Sequence, residues 1–504
     1  MDNQIAFTNL TIEQNKTHWL ILRVIASISI LIALINLTIR AGTNGLDQDE
    51  IEHTHVAWLM FNGQVPFQDF FQMHPLTFYY LLVFYYQVFG ENITIFFWGR
   101  GLMVVCFIFS IWLIYLLGKE MFGTLGGLIA SLIFCLNRLA QSIAVFIRAD
   151  GLMLVCLLAG LYVFLKSWYK DFRPYQAILA GLLLGIAFSI HPRSGFAVLG
   201  LAVSILVSRS SVKGIKQIWE RKIELALFTV FSFLPILTPF FIYGFQAYFE
   251  KIYVIGFSVV TSYSPWDQLW EVFTQSFGIF PLVFVSIGVY LFTIIKDREK
   301  TSKCTTSLWL VLINFLGIVL IPLTNELKGI GNARGVMAIQ NFYSFTAFLA
   351  LFVTGSFIWI IGQLSLEKKL VVLYLFMILA LASTLRPQNW YFSWQGLKAN
   401  LAKLENIKQV IPSNESYVGP IMTNPVFCKN GTYYWHDEIA LEKTRNPNFK
   451  HDFIAEFEKT KPFLVNKQFI EFIHFDPQEQ QRVKEYLEQN YYSPKQLPGF
   501  LIRK

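Results

Sequence analysis

The chain alternates long apolar runs with short polar loops over most of its length. A helix needs about 20 mostly apolar residues to cross the hydrocarbon core of a bilayer. Runs that meet or approach this length predict eleven membrane spans, at 19–39, 97–118, 124–140, 150–166, 175–190, 194–208, 223–243, 272–295, 307–323, 339–361 and 369–385. The pattern therefore predicts a polytopic membrane protein built from helices.

The apolar segment 76–90 is too short for a comfortable span and is loaded with aromatic residues, which is typical of a helix lying in the membrane interface. If it does not span, one set of loops carries 15 basic residues and the other set eight. The positive-inside rule then puts the N-terminus in the cytoplasm and the first polar loop and the C-terminal tail on the far side. The eight outer basic residues are Arg40, Arg100, Arg138, Arg148, Arg193, Lys251, Lys328 and Arg334.

The pattern changes after residue 385. Helix-like runs at 395–410 and 477–490 alternate with strand-like pieces at 416–421 and 462–465, punctuated by Pro, Asn and Gly. We therefore predict an all-α polytopic membrane module, 1–385, whose first outer loop is 40–96 and carries interfacial helices. A small extracytoplasmic α/β domain, 386–504, is predicted to follow it.

Composition supports a membrane protein and argues against a nucleic-acid partner. Of the 504 residues, 54% are hydrophobic and only 15% are charged, against about 25% charged in soluble domains. The net charge of +8 is explained by orienting loops, so no nucleic-acid partner is expected. The five cysteines show no metal-ligand spacing and predict neither a disulfide framework nor a thiolate zinc site. We interpret the first apolar run as a retained anchor.

The polar stretch from Asp47 to Pro75 departs most from this background, because it holds five acidic residues and three histidines. Carboxylates beside a membrane span indicate a functional site by default. A helix running to about Asn62 would put Asp49 and His53 on one face. A second cluster, Asp69 and His74, follows. The alternative is a solvated polar collar that caps a helix N-terminus, where aspartate is favoured anyway.

The order of these motifs resembles the GT-C fold glycosyltransferases, particularly bacterial proteins like the protein O-mannosyltransferases and the aminoarabinose transferases that modify lipid A. The motifs are DQDEIEHTH, then GQVPFQDFFQMHP, then an aromatic interfacial helix and an Arg-bearing span. By position, Asp49 matches the catalytic acid of the family's first outer loop, and Glu50 is its neighbour. Asp69 with His74-Pro75 matches the second half of that loop.

Further matches to the family are weaker. Arg148-Ala149-Asp150 resembles the R-x-D element of the next outer loop. Where relatives often carry a lysine at the outer end of a middle span, this chain has HPRSG, with Arg193. Tyr343 lies where relatives place a contact to the donor phosphate, although an interfacial aromatic anchor would look the same.

The resemblance implies transfer of a sugar from a polyprenyl-phosphate donor to an extracytoplasmic acceptor. A base must take the proton of the acceptor hydroxyl, and one carboxylate on the attacking face suffices for inversion. We predict Asp49 as the base, with Glu50 and Asp150 as further catalytic residues. The predicted substrate-binding residues are His53, Asp69, His74, Arg100, Arg148, Arg193, Arg334 and Tyr343. The arginines would bind phosphate bidentately. The alternative is that they bind no substrate and only extend their charged ends to the membrane interface.

A divalent metal ion is possible but not fixed by the sequence. Asp47-Gln48-Asp49 is formally a DxD motif, and a hard cation needs several such oxygen ligands. Histidines beside a carboxylate could instead hold a softer ion. The candidate ligands are Asp47, Asp49, Glu52 and His55.

Two other functions fit a polytopic basic protein. A secondary transporter would place ionisable residues near mid-membrane between symmetric repeats, whereas here the charge gathers at one face. A scaffold that holds lipid-linked glycan for a partner would not need Asp49. We expect a multi-pass protein of the inner, cytoplasmic membrane acting in the cell envelope on a glycolipid such as lipopolysaccharide, a glycan or a protein. The sequence does not specify the sugar.

Overall fold

The computed structural model describes the chain in eleven stretches: 16–168, 173–208, 219–255, 285–290, 306–317, 342–385, 396–412, 414–434, 451–469, 477–495 and 497–504. The part up to residue 385 is helical. Its helices are α1 Lys16–Thr43, α2 Gln48–Phe61, α3 Thr77–Phe89, α4 Ile95–Cys135, α5 Arg138–Ile143, α6 Ala149–Trp168, α7 Pro174–Ile190, α8 Ser194–Ser208, α9 Lys222–Tyr243, α10 Phe245–Tyr248, α11 Thr306–Gly317, α12 Tyr343–Gly362 and α13 Leu366–Thr384. A π-helical turn, Phe249–Ile255, follows α10, and a short helical piece lies at 285–290.

Within these stretches, five helices are long and apolar enough to cross a membrane: α1, α4, α6, α9 and α12. The shorter helices α7, α8 and α11 are apolar as well. The chain is thus a multi-pass membrane protein. Its helices begin and end close to the predicted runs, except that the run 272–295 lies mostly outside the described residues.

Helix α4 covers two predicted spans and contains a sharp reversal. Gly123 has φ 81° and ψ 178°, a backbone conformation that only glycine adopts easily. The two halves fold back on each other and are in close contact at Gly118 and Gly127. A Cβ atom on Gly118 would lie 3.0 Å from the Cα atom of Gly127. The predicted loop between 118 and 124 is therefore a single tight turn.

Helix α7 packs along α6 and α9. A Cβ atom on Gly181 would lie 2.4 Å from the carbonyl oxygen of Phe228, and one on Gly185 would lie 2.2 Å from that of Ser232. Small residues four apart let helix backbones approach closely in membranes, where hydrophobicity does not drive helices together. The GLLLG segment of α7 therefore sets its distance from α9.

Replacing Gly185 by alanine should destabilise the protein by about 1–3 kcal/mol, because the methyl group forces α7 and α9 apart. Gly101→Ala is the matched control: it lies inside a helix with open space around it and should be neutral or slightly stabilising. The midpoint of thermal unfolding can be read with a thiol-reactive dye, since Cys106, Cys135 and Cys428 are buried. Equal midpoints for the two variants would show that the glycines of α7 do not control the packing.

Helix α3 corresponds to the predicted interfacial segment. Its 13 residues reach about 20 Å, less than the roughly 30 Å of a hydrocarbon core. One face is buried against α2 and α7, whereas the opposite face exposes apolar side chains. The exposed side chains are Tyr80, Phe84, Val88 and Phe89.

The tail contains helices α14 Gly396–Val410, α15 Phe453–Thr460 and α16 Pro477–Asn490 and a 3₁₀ turn, Ile421–Thr423. Its strands are β1 Ser416–Val418, β2 Lys429–Asn430, β3 Leu464–Asn466, β4 Tyr491–Tyr492 and β5 Phe500–Arg503. They form a sheet in the order β2-β1-β3-β5-β4, in which β1 is parallel to β2 and β3, and β5 is antiparallel to β3 and β4. A small C-terminal α/β unit was predicted, and the structure confirms it.

The tail packs partly on its own core and partly on the membrane helices. Val418, Val465, Phe457 and their neighbours form a separate apolar cluster between the sheet and α15 and α16. In contrast, Leu397, Leu401 and Leu404 of α14 and residues 421–427 share the core of the helical module. The first part of the tail is therefore continuous in packing with the first outer loop.

Candidate active site

The polar residues predicted from the sequence converge where four segments meet. These are the N-terminus of α2, the loop 63–76 after it, the N-terminus of α6 and the turn 191–193 between α7 and α8. Each segment enters or leaves a helix at the same end of the bundle, so side chains distant in sequence become neighbours.

Asp47 and Glu50 form the start of α2. Asp47 is the N-cap, and its side chain accepts a hydrogen bond of 2.9 Å from the N–H of Asp49. The Glu50 carboxylate reaches back and accepts one of 3.0 Å from the N–H of Asp47. This is a capping box, which satisfies N–H groups that the first turn leaves unpaired. The helix ends at Asn62 and Gly63, which has φ 80°.

Glu50 is fully buried and paired with Arg100 of α4. The guanidinium donates to both carboxylate oxygens, at 2.8 and 2.7 Å, and to the carbonyl oxygens of Ala41, Asn44 and Gly45, each at 2.8 Å. Glu50 Oε1 also accepts from the N–H of Ile147 at 2.9 Å. The pair therefore links α1, α2 and α4 to the segment before α6. Its hydrogen bonds are made to groups within the protein.

Asp49 points away from that pair and toward Arg148. One guanidinium nitrogen lies 2.6 Å from Asp49 Oδ2, and another lies 3.1 Å from Asp47 Oδ1. The Asp49 side chain remains 31% exposed, whereas that of Arg148 is only 11% exposed. Burial alone would lower the pKa of Arg148, but the carboxylates of Asp49, Asp47 and Asp150 raise it. Arg148 is thus a fixed cation that orients a solvent-accessible carboxylate.

Asp150 and Arg193 complete the charged group. Asp150 lies buried in the first turn of α6, two residues after Arg148. Burial lowers the pKa of Arg193 to about 10, and the charge of Asp150 opposes that shift. The Arg193 side chain contacts His191 Nε2 at 3.3 Å. Burial and the nearby charge of Arg193 lower the pKa of His191 well below its usual range, so His191 is a neutral acceptor that positions Arg193.

A chain of hydrogen bonds fixes His53 behind Asp49. The Gln72 side chain donates to the Tyr79 hydroxyl at 3.0 Å, and that hydroxyl lies 3.0 Å from His53 Nδ1. These two contacts join Gln72, Tyr79 and His53 in one hydrogen-bonded chain, which fixes the orientation of the imidazole ring. Burial, with the charges of His74 and Arg148, lowers the pKa of His53 well below its usual range.

The same glutamine holds His74 in place. Gln72 Oε1 accepts from the backbone N–H groups of Met73 and His74, at 2.6 and 2.9 Å. The ring of His74 packs edge-on against His53, with 5.5 Å between centroids, and its Nε2 lies 3.6 Å from Glu52 Oε1. Burial lowers the pKa of His74, and the charge of Asp49 acts in the opposite direction. His74 is 38% exposed at its side chain.

His55 does not join this group but fastens the tail to α2. Its Nδ1 lies 2.5 Å from the carbonyl oxygen of Val426, and its Nε2 lies 2.7 Å from the side-chain amide of Asn430. Val426 has φ 68°, which is strained for a β-branched residue, and the hydrogen bond to its carbonyl helps to hold it there. The Tyr433 hydroxyl similarly donates to the carbonyl oxygen of Phe67, another positive-φ residue.

Acid should loosen this contact. Burial lowers the pKa of His55 to about 4, whereas an unfolded histidine titrates near 6.5. Between those values the unfolded chain binds a proton that the folded chain does not, so stability falls as the pH falls from about 6.5 to 4. The loss should be on the order of 3 kcal/mol. Thermal midpoints at pH 7 and pH 5 should diverge less for His55→Gln than for the wild type; equal divergence would contradict this role.

Three other predicted residues are placed differently. Asp69 is exposed, and its Oδ2 accepts from the N–H of Val65 at 2.6 Å, which closes the turn of the loop 63–76. Tyr343 is buried within electrostatic range of Asp150, and its hydroxyl has no hydrogen-bond partner in the described stretches. Arg334 lies outside the described residues.

The four candidate metal ligands are not gathered. Asp47 and Asp49 bind Arg148, Glu52 faces His74, and His55 binds the tail. In the part of the chain that the structure describes, no three His, Cys, Asp or Glu residues are grouped to hold a metal ion. A cation at the DxD motif would have to displace the guanidinium of Arg148, so these residues do not fit such a site as they stand.

Comparison with known proteins identifies the fold. Residues 73–243 match the family model described as dolichyl-phosphate-mannose-protein mannosyltransferase. The structure aligns with ArnT from Cupriavidus metallidurans bound to undecaprenyl phosphate at a TM-score of 0.60 and 13% identity, over 97% of this chain and 98% of that one. The chain has the GT-C fold. The archaeal oligosaccharyltransferase AglB from Archaeoglobus fulgidus, in complex with an inhibitory peptide and a dolichol-phosphate, aligns with this GT-C protein at a TM-score of 0.52.

That second alignment has 12% identity and covers 97% of this chain and 74% of AglB. A comparison with curated proteins finds no match. Identities this low carry the fold and not the substrate.

Sequence reasoning missed the residues that organise this site in the GT-C protein. Gln72 and Tyr79 were unremarkable in a polar loop and an aromatic helix, yet they hold His53 and His74. His191 entered the prediction only as the first residue of the HPRSG segment that carries Arg193. The adjacent proline and arginine were the available signal, since a histidine two residues before an arginine at a helix end can contact its guanidinium.

Proposed function

We propose that this GT-C protein is a glycosyltransferase that moves a sugar from a polyprenyl-phosphate donor to an extracytoplasmic acceptor. The observation that carries the proposal is the Asp49–Arg148 pair, in which a carboxylate is held at 2.6 Å yet stays 31% exposed. A base needs this combination, because it must be fixed in direction and still reach a substrate hydroxyl.

In the proposed reaction Asp49 takes the proton of the acceptor hydroxyl as its oxygen attacks the anomeric carbon. A single displacement inverts that carbon, and the bond to the donor phosphate breaks on the opposite face. Glu50 takes no part in the chemistry, because Arg100 and two backbone N–H groups occupy its oxygens. It acts as a positioning residue for the first turn of α2.

The leaving phosphate needs positive charge. Arg193 supplies it in this proposal, held by His191 and close to Asp150, and Arg148 adds a second positive charge. Guanidinium groups suit phosphate oxygens because their N–H donors form a planar fork. Support for a polyprenyl-phosphate donor comes from ArnT, crystallised with undecaprenyl phosphate, and from AglB, solved with a dolichol-phosphate. The acceptor remains a glycolipid, a glycan or a protein.

We place this site on the extracytoplasmic side of the cytoplasmic membrane, following the loop charges. The tail covers the same end of the bundle, since α14 binds the segment before α2: the N–H of Leu46 donates to Asn400 Oδ1 at 3.0 Å.

The test is transfer of label from a radioactive polyprenyl-phosphate hexose or pentose to membrane lipids or protein by the purified protein. Arg193→Gln should raise the KM for the donor and also lower kcat, because the phosphate is charged in the bound donor and gains further charge as the bond to the sugar breaks. If the protein binds labelled donor but transfers label to none of the three acceptor classes, the result would support the scaffold instead. Label carried across vesicles without a new glycosidic bond would support a transporter.

A further inference from the structure

The loop after α2 contains a tight turn at 65–71 whose backbone is strained. The N–H of Phe67 donates to the carbonyl oxygen of Phe70 at 2.9 Å. Phe67 has φ 70°, a conformation that costs free energy for a bulky residue. Its ring packs edge-on against those of Tyr243 and Tyr248, with 5.7 and 6.0 Å between centroids. Such a conformation persists only where surrounding contacts hold it.

Tyr433 of the tail holds the turn at two points. Its hydroxyl donates to the carbonyl oxygen of Phe67 at 2.9 Å, and its own carbonyl oxygen accepts from the N–H of Phe71 at 2.8 Å. Phe71 is fully buried, and its ring packs against those of Tyr433 and Tyr434, with centroids 6.4 and 5.1 Å apart. The turn is therefore held by a side chain 366 residues away in sequence.

Tyr433 is itself anchored within the tail. Its N–H donates to Glu456 Oε1 of α15 at 2.6 Å, and the other oxygen of that carboxylate contacts His451 Nε2 at 2.6 Å. Two residues earlier, the N–H of Gly431 donates to the carbonyl oxygen of Tyr417 in β1 at 2.9 Å. Because α15 and β1 belong to the folded tail, Tyr433 gives the loop a fixed point of attachment.

The loop continues directly from this turn into the candidate active site. Gln72 follows Phe71 and is fully buried. Its side chain donates to the Tyr79 hydroxyl at 3.0 Å and accepts from the N–H of His74 at 2.9 Å. A shift of Phe71 would therefore displace Gln72 and, with it, His74. The hydrogen bonds of Tyr433 thus control the position of side chains in the site.

We propose that Tyr433 is a positioning residue of the candidate active site. It holds the turn 65–71 in its strained conformation, and so keeps Gln72 and the predicted substrate-binding residue His74 in place. The tail is then part of the catalytic unit. The effect on catalysis rests on the proposed glycosyltransferase function, whereas the hold on the loop does not.

The first test is Tyr433→Phe, which removes the hydroxyl and keeps the ring and the backbone hydrogen bond to Phe71. Hydrogen–deuterium exchange in the loop 63–76 should become faster by about two- to tenfold, because one hydrogen bond is lost. The kcat/KM for transfer from a labelled polyprenyl-phosphate sugar should fall by a similar factor, with a thermal midpoint in the dye assay close to that of wild type. Tyr492→Phe makes the same change at an exposed tyrosine of β4 and should alter none of these.

A double-mutant cycle tests the route by which Tyr433 acts. Gln72→Met keeps the size of the side chain and removes its hydrogen bonds to Tyr79 and His74. In that background Tyr433→Phe should lower kcat/KM little further, because the link between the turn and the site is already broken. Equal factors in the two backgrounds would overturn the proposal, since Tyr433 would then act by a route that does not include Gln72.

Other outcomes separate the hypotheses. A wild type that transfers no label would reject the proposed function, and the exchange measurement would still test the hold on the loop. Unchanged loop exchange in Tyr433→Phe would overturn that hold. Faster exchange with unchanged kcat/KM would overturn the positioning role, and a large fall of the thermal midpoint would make Tyr433 a structural residue instead.

Discussion

Replacing Asp49 by asparagine should lower kcat for sugar transfer by about a hundredfold to ten-thousandfold, the usual contribution of a general base. The asparagine oxygen can still accept from Arg148, so the site keeps its shape while the basic oxygen is lost. The KM for the donor should change little, because the proposed role of Asp49 is to take a proton from the acceptor and not to bind the donor. Initial rates with labelled polyprenyl-phosphate sugar would measure both constants.

Asp452→Asn provides the matched control for this change. Asp452 is exposed and caps α15 through the N–H of Ala455 at 3.1 Å, a role that asparagine fills equally well. It makes the same chemical substitution far along the chain and should leave transfer intact. Full activity of Asp49→Asn would remove Asp49 as the base and turn attention to Asp150.

Breaking the Glu50–Arg100 pair should unfold the first outer loop rather than slow a chemical step. Arg100→Leu leaves a fully buried carboxylate without its cation and frees the carbonyl groups before α2, at a cost of about 3–5 kcal/mol. Glu50→Leu should cost a similar amount. Midpoints from the dye assay would show both losses, whereas Arg23→Leu, at an exposed arginine of α1, should behave like the wild type.

The double variant distinguishes a structural pair from a catalytic one. Glu50→Leu with Arg100→Leu should cost less than the two single changes together, by about 0.5–3 kcal/mol, because no uncompensated charge remains. If instead the single variants were as stable as wild type and inactive, the pair would belong to the active site, where the sequence predicted Glu50 as a catalytic residue and Arg100 as a substrate-binding one.

The sequence determined the fold class and predicted where the candidate site lies. Apolar run lengths predicted the helices, because spanning a bilayer imposes a minimum length that few other segments reach. The short aromatic run 76–90 forms a single helix of 13 residues, and period and punctuation predicted the α/β tail. The density of carboxylates and histidines between Asp47 and Pro75 predicted the end of the bundle at which the charged side chains converge, since such groups are costly near lipid.

Only the tertiary structure divided that cluster into roles. The DQDE motif reads as one acidic group, yet Asp47 and Glu50 form the capping box of α2 and Glu50 is buried against Arg100, whereas the side chain of Asp49 takes no part in the cap and pairs with Arg148 while it stays 31% exposed. His55 looks like a ligand beside Glu52, but its side chain turns to the tail, 371 residues away in sequence. Such roles depend on which distant side chain lies opposite each residue, and local periodicity holds no information about that partner.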